Sequence, residues 1–286
     1  VATVIHARDG RTAYVDVITK LRLFGVSRPS RNGPTRDLGH TTIILDEPCD
    51  ALPIDVGRGL SERIAALEAI QLVGAFSDPD WLVERAPQLS PYREPSGAFW
   101  GAYGRRIGWQ IRDAVAKLRA DPWTRQAVAT LWDPMYDNYP EKRDYPCTVA
   151  LGFTQQPTFT SDQLNMHVTM RSNDAWLGLP YDMFQFTQLF QTVCRCLDVR
   201  PGTYTHTAWS LHLYDRDVDR THDVALAGDT GYRFDPTGFG EPNMSFTDVS
   251  QRAHVIALTP DKIDWELTPS ERWYRDAIHG DPTKLA

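Results

Sequence analysis

Residues 144–153 read DYPCTVALGF: Cys147 stands directly after a proline and ahead of an apolar, β-branched run. Such a thiol is either a small buried hydrophobe at the start of a core strand or a nucleophile held at a strand's edge. As a nucleophile it needs a lowered pKa, usually from a nearby cation. Downstream, MRSNDAWLGLPYDM (170–183) brings Arg171, Ser172, Asp174, Gly178 and Asp182 close together. Arginines suit a phosphate dianion, because the planar guanidinium meets two oxygens at once. His212 and Tyr214 alternate on a strand pattern, so they share one face and can grip one hydroxyl between them. A cysteine hydrolase would need a histidine partner; His167 and His206 exist, but nothing else in the chain supports that chemistry. Taken singly, the arginines read as solvated charges and the His–Tyr pair as the polar edge of a half-buried strand.

These residues need elements to hold them. An amphipathic helix is expected from Ala13 to Phe24, ended by Gly25, followed by a Gly-, Pro- and Arg-rich loop at 27–40 and a strand at 41–48. Helices follow at 59–78, with Ser61 as N-cap, and at 105–122. Strands are expected at 126–134, 147–156, 163–172 and 204–217. The segment 179–202 reads as a long helix with Pro180 in its first turn. It is apolar nearly all round, so it must be buried on most sides. Helices and strands are interspersed without a βαβ rhythm, which predicts an α+β fold, in one domain over residues 1–286.

The chain has 286 residues, 42% of them hydrophobic, enough for one substantial core. Its net charge of −7 comes without a basic block, which argues against a partner in duplex nucleic acid. No stretch reaches the roughly 20 apolar residues of a membrane span, and the N-terminal segment lacks a secretory apolar region. The four cysteines, at 49, 147, 194 and 196, form no C-x-x-C pair, so disulfides and a metal site are disfavoured and a reducing cytoplasm is expected.

RSNDAWLGLPYD resembles the nucleotide-binding segment of the thymidylate synthase family, Arg-Ser-x-Asp followed by Leu-Gly-Leu-Pro-aromatic-Asn. Pro146-Cys147 is similar to that family's Pro-Cys nucleophile, HLY at 212–214 to its His-x-Tyr, and DPWTRQAVATLWD at 121–133 to its phosphate-arginine segment. SRNGPT at 30–35, Glu68 in an Ala-Leu-Glu helix, and Tyr103-Gly104 complete the series in the family's order across residues 13–215, while residues 216–286 match poorly. The resemblance implies a mixed β-sheet flanked by helices, one long buried central helix, and a homodimer through the sheet. It implies that Cys147 adds to C6 of a pyrimidine nucleoside monophosphate, with Arg171 as its neighbouring cation. C5 then takes a one-carbon unit from 5,10-methylenetetrahydrofolate, a co-substrate, without a metal. It implies that Arg31, Arg171 and Ser172 bind the phosphate, that Arg125 reaches across from the second subunit, and that His212 and Tyr214 hold the 3′-hydroxyl. Arg28 lies close enough to Arg31 to compete for its role, and the family's paired arginines are here Arg125-Gln126. Glu68 would order water and move protons, Tyr103 assist proton removal at C5, and Asp174 and Gly178 contact the folate. Gln71 stands where the family has tryptophan, a change that could admit water, and the family's apolar closing tail has no clear match in GDPTKLA (280–286).

The family's synthases carry asparagine where this chain has Asp182. Uracil shows a donor at N3 and an acceptor at O4, and an amide matches both. Cytosine reverses them, and a carboxyl group matches: it accepts from the 4-amino group and shares its proton with N3. A polar site left unpaired by the wrong ring loses on the order of 10⁴-fold in good cases. Asp182 therefore predicts a cytosine nucleotide, as in the family's cytidylate hydroxymethylases, with water adding to the transferred carbon. The plainer account of Asp182 is an acid favoured by the dipole at a helix start. CMP and dCMP both remain open, as do a nucleoside natural product and modified DNA as destinations; the small Ala175 leans toward tolerance of ribose. The alternatives are a thymidylate synthase acting on dUMP and a nucleotide-binding homologue without catalysis.

Overall fold

The apolar segment after Gly178 becomes the centre of the molecule. The structure is a computed structural model that describes residues 2–49, 51–53, 56–76, 79–97, 99, 101–139, 144–157, 162–227 and 238–280. Along it come β1 (Thr3–Ala7), α1 (Gly10–Phe24), β2 (Val26–Arg28), β3 (Thr35–Asp37), β4 (Thr41–Leu45), α2 (Glu62–Val73), α3 (Pro79–Arg85) and α4 (Tyr103–Ala120). Then follow β5 (Val128–Thr130), α5 (Pro134–Asp137), β6 (Thr148–Pro157), β7 (Asp162–Met170), β8 (Asn173–Asp174), α6 (Leu179–Leu197), β9 (Arg200–Ala208), β10 (Leu211–Tyr214), α7 (His222–Leu226), α8 (Phe246–Leu258) and α9 (Pro269–His279). Every residue of α6 except Arg195 and Leu197 is buried. The helix packs against α2 and α4 as well as β9 and β7. Its threonines return their hydroxyls to the helix's own carbonyls, Thr187 to Phe184 (3.0 Å) and Thr192 to Gln188 (2.7 Å), which offsets the desolvation of these two hydroxyls.

The strands form two mixed sheets, in keeping with an α+β fold. The larger has the order β1–β4–β9–β7–β6–β5, with β1–β4 and β9–β7 parallel and the other pairs antiparallel. The smaller has the order β2–β3–β10–β8 and carries three of the polar candidates, Asp174, His212 and Tyr214. Its register sets His212 beside Asp37 on one side and Asp174 on the other, and Tyr214 beside Thr35. Gly104 and Gly108 let α4 lie close to the end of α2: a Cβ on either would collide with Gln71 or Ala75. That close approach turns Tyr103, the first residue of α4, toward α6.

Several elements differ from the sequence reading. Residues 27–40 are a hairpin, β2 and β3, with its tip at 29–34, rather than one loop. The long helix ends at Leu197, not 202: Asp198 takes the left-handed conformation at φ 55° and Val199 N–H closes back on Cys194 O at 3.1 Å. The expected strand 204–217 is two strands in different sheets, β9 and β10, separated by Trp209 and Ser210. The described residues 238–280, where the sequence offers no motif, are part of the core. Trp273 Nε1 donates to Glu62 Oε2 (3.1 Å) and the Tyr274 hydroxyl to Gln188 Oε1 (3.1 Å), tying α9 to α2 and α6. Residues 281–286, where a closing tail was sought, lie outside the described residues. No helix among the described residues is long and apolar enough to cross a membrane.

Candidate active site

A cavity of about 910 Å³ opens between the smaller sheet, α2, α4 and α6. Every site residue expected from the sequence lines it except Arg125. Arg28 and Gln71 line it too, while Ala175 does not: it is buried behind the wall, its N–H donated to His212 O at 2.7 Å. The room that Ala175 was expected to make in the pocket is therefore not at the cavity surface.

Cys147 immediately precedes β6, and its carbonyl accepts Arg171 N–H at 2.8 Å. The Arg171 side chain folds back over the Pro-Cys turn. Nε donates to Pro146 O (3.0 Å), Nη2 to Tyr145 O (3.3 Å), and Nη2 stands 3.9 Å from Cys147 Sγ. The guanidinium also faces the Trp132 ring at 5.6 Å. The expected cation is thus beside the sulfur, yet the expected lowering of the thiol pKa is not found. Burial pushes Cys147 up to about 11; Arg171 opposes this, while Asp182, Asp144 and Asp174 add to it. Arg171 gives much of its hydrogen bonding to two carbonyls, and desolvation of a thiolate wins. Without substrate, the sulfur carries its proton.

Three further proton-bearing groups face the same space. Burial, then the neighbouring Asp182, raises Glu68 on α2 to about 8. Burial raises Asp182 in the first turn of α6 to about 7, against two hydrogen bonds that favour its ionised form. Those bonds come from amides: Asn173 Nδ2 donates to Oδ2 at 2.6 Å and Gln185 Nε2 to Oδ1 at 3.0 Å. Tyr103 is stacked on Phe186, its oxygen accepts Thr148 N–H at 3.2 Å, and burial holds its hydroxyl well above the ordinary value. Asp144, another wall residue, accepts Gly101 N–H at 2.9 Å and is raised by burial.

A pH dependence of stability follows. Glu68 and Asp182 have folded pKa values above the ordinary 4.5 and 3.8. Between the two values the unfolded chain has released a proton that the folded chain keeps, so stability falls with rising pH. Their contribution is complete below the ordinary carboxyl values and is lost by about 7 for Asp182 and about 8 for Glu68. Thermal melts from pH 5 to 9 should show this decline, and Glu68→Gln should flatten its upper part. An equally steep decline in the variant would mean that Glu68 does not cause it.

At the other end of the cavity, His212 and Tyr214 share one face of β10, with ring centroids 5.2 Å apart at 86°. Neither side chain makes a hydrogen bond among the described residues. Arg28 is committed to Asp37 (3.6 Å), which also accepts from Ser210 Oγ (2.9 Å) and Gly39 N (2.6 Å). Arg31, on the hairpin tip, has no such partner among the described residues. Asp174 holds the turn into α6, Oδ1 accepting from Trp176 N (2.8 Å) and Leu177 N (3.2 Å), which leaves Oδ2 for a ligand. Gly178 packs against the Asp182 carboxyl: a Cβ there would stand 3.1 Å from Oδ2.

The sequence reading missed Asn173 and Gln185, the two amides that hold Asp182. Gln185 was detectable, since it lies three residues after Asp182 on one helix and so shares its face. Asn173 owes its position to the pairing of β8 with β10, which no local pattern reveals. Arg125 lies exposed between α4 and β5, away from its own chain's cavity.

Comparison with known proteins gives a family model described as thymidylate synthase, matching residues 81–227. The chain is 24% identical over 262 residues to a deoxyuridylate hydroxymethyltransferase of Bacillus phage SP01, covering 82% of this chain and 67% of the relative. It is 25% identical over 275 residues to a deoxyuridylate hydroxymethyltransferase of Pseudomonas phage M6, covering 92% of this chain and 75% of the relative. A thymidylate synthase of Clostridium beijerinckii is 29% identical over 126 residues, 42% of this chain and 45% of the relative.

Proposed function

The chain belongs to the thymidylate synthase family, and on that premise we propose that it is a cytidylate 5-hydroxymethyltransferase acting on CMP, dCMP or both. The observation that carries this reading is a buried carboxyl, Asp182, lining one cavity with Cys147. Asp182 retains its proton up to about pH 7. Cytosine N3 is a base that can take this proton while the 4-amino group donates to the other oxygen. Moving the proton toward N3 draws electrons from C6, where the Cys147 sulfur is to bond. Uracil has no basic nitrogen at that position, so it gains less from an acid there.

The remaining roles follow from charge and reach. Arg31 and Ser172, with Arg171 behind them, receive the 5′-phosphate; Arg28 is favoured less because Asp37 holds it. His212 and Tyr214 take the sugar hydroxyls. Methylenetetrahydrofolate would supply a one-carbon unit at the oxidation level of formaldehyde. Leu89, Tyr92, Phe99 and Leu177 offer apolar wall for its ring system, and Asp174 Oδ2 an acceptor for ring N–H groups. Glu68 and Gln71, adjacent on α2, are suited to orienting water for the hydroxymethyl outcome; Glu68 can hold or release a proton near neutrality. The Tyr103 hydroxyl, protonated and fixed on the strand that follows Cys147, is suited to relaying the proton lost from C5.

We take residues 1–286 as one domain, which the docking of α8 and α9 onto α2 favours. We also propose a homodimer through the larger sheet, with Arg125 donated to the partner's site; its exposure and distance from its own cavity favour this. A sedimentation mass near 32.4 kDa, that of one chain, would sink the dimer.

A second reading, uridylate as substrate, has one observation in its favour: two relatives carry the name deoxyuridylate hydroxymethyltransferase. A neutral carboxyl can also donate to O4 and accept from N3–H. The deciding experiment incubates the protein with methylenetetrahydrofolate and CMP, dCMP, UMP or dUMP in turn and identifies products by mass. Hydroxymethyl gain on a cytidylate is expected. Hydroxymethyl gain on uridylates alone would replace the substrate, and a methyl gain on dUMP with dihydrofolate formed would overturn the reaction.

A further inference from the structure

Arg216 lies just beyond β10 and lines the cavity, yet the expected phosphate set does not include it. Its guanidinium stacks on the Tyr214 ring at 4.0 Å, and Nη1 donates to Asn32 O at 2.9 Å. Asn32 belongs to the hairpin tip that carries Arg31. The next residue, Gly33, has φ 118°, and Arg216 Nη1 would be the nearest atom to a Cβ there, at 3.9 Å. On its other side Arg216 Nε meets Asp217 Oδ2 at 3.6 Å, and Arg220 Nη1 donates to Asp217 Oδ1 at 2.9 Å. A single guanidinium thus joins the tip of one hairpin to the face of the strand that presents His212 and Tyr214.

This junction has a consequence for recognition. The tip brings the phosphate arginine, while β10 brings the hydroxyl-gripping pair. A nucleoside monophosphate spans both, so its affinity depends on how firmly their separation is held. Arg216 is the side chain that reaches across: at the tip's base the Asp215 N–H donates to Pro34 O (3.0 Å), and the other side-chain bonds at the tip are internal, from Ser30 Oγ to Gly33 O (2.6 Å) and from Asn32 N to Ser30 Oγ (3.3 Å). The subsite is also short of charge. Arg28 is paired with Asp37, and Gln126 stands where a second arginine was expected.

Resting on the nucleotide reading above, we propose that Arg216 is a positioning residue that clamps the 29–34 tip to β10 and so makes the site selective for 5′-phosphorylated nucleosides over free nucleosides. The planar guanidinium is needed, because it stacks and donates at the same time; a lysine ammonium cannot do both in that geometry.

The test is calorimetric titration of full-length wild type, Arg216→Ala, Arg216→Gln and Arg216→Lys with CMP, dUMP, cytidine and deoxyuridine. Arg216→Ala and Arg216→Gln should weaken both monophosphates roughly ten- to a hundredfold, and the nucleosides less than about threefold. Arg216→Lys should stay close to Arg216→Ala. Equal weakening of nucleosides and nucleotides, unchanged monophosphate affinity, or full rescue by lysine would each overturn the proposal. Melting temperatures identify a misfolded alanine variant, in which case the glutamine variant decides. Because both bases are used, a wild type that prefers dUMP would overturn the cytidylate reading while leaving the phosphate selectivity measurable. A wild type that binds no monophosphate would overturn both.

Discussion

Replacing Cys147 with serine is expected to lower turnover by at least about 10⁴-fold while leaving nucleotide affinity within about threefold of wild type. The substitution exchanges one atom at a half-buried position whose surroundings are held by other groups. Arg171 grips the carbonyls of Tyr145 and Pro146, Arg171 N–H meets Cys147 O, and Thr148 N–H meets Tyr103. None of these bonds uses the sulfur. A hydroxyl in the same place is a far poorer nucleophile toward a ring carbon, because its proton is harder to remove. The thiol itself is not pre-ionised, having been raised to about 11. Its proton must therefore leave as the ring is attacked, and a ring that has taken a proton from Asp182 at N3 makes that departure easier. Rapid-quench turnover, titration calorimetry and the mass of any protein–nucleotide adduct check this together. Residual activity within tenfold of wild type would return Cys147 to the role of a packed hydrophobe.

The arrangement around Cys147 shows what the sequence made legible and what it did not. The cavity gathers Glu68, Tyr103, Cys147, Asp182 and His212 from far-separated segments, and the order of motifs anticipated that gathering. The burial of α6 was readable because its apolar residues cover the whole circumference. The end of α6 was not readable: an aspartate in the left-handed region stops it, where the pattern alone ran on to Gly202. The division of 204–217 into two strands rests on Trp209 N–H bonding Met170 O and Asn173 N–H bonding Ser210 O, both long-range pairings. The thiol pKa failed as an expectation for a related reason. Proximity of Arg171 can be guessed from a motif, but the competing desolvation depends on how deeply the whole fold buries the site. Asn173 and Arg216 act through partners on other elements, so only the assembled structure brings them into view, whereas Gln185 shares a face of α6 with Asp182 and was within reach of the sequence.

Asp182→Asn is expected to move the ratio of kcat/KM for uridylate over cytidylate by about 10³-fold toward uridylate. The variant should fold, and its amide should take a defined orientation. In the wild type both carboxyl oxygens accept from amide donors, Asn173 Nδ2 and Gln185 Nε2. An amide at 182 would turn one of these contacts into two donors facing each other. Asn173 can relieve this by rotating its own amide, because its Oδ1 is buried with no hydrogen-bond partner. That rotation sets the nitrogen of residue 182 toward Asn173 and its oxygen toward Gln185. The site would then offer uracil one donor and one acceptor, with no proton to give to cytosine N3. The pH profile supplies an independent check. Wild-type kcat/KM for cytidylate should fall as pH rises through about 7, where Asp182 loses its proton, and the asparagine variant should show no such step. A base ratio unchanged by the substitution would mean that the carboxyl serves the start of α6 and not the substrate. A wild-type profile flat through neutrality would mean that the proton on Asp182 takes no part in reading the ring.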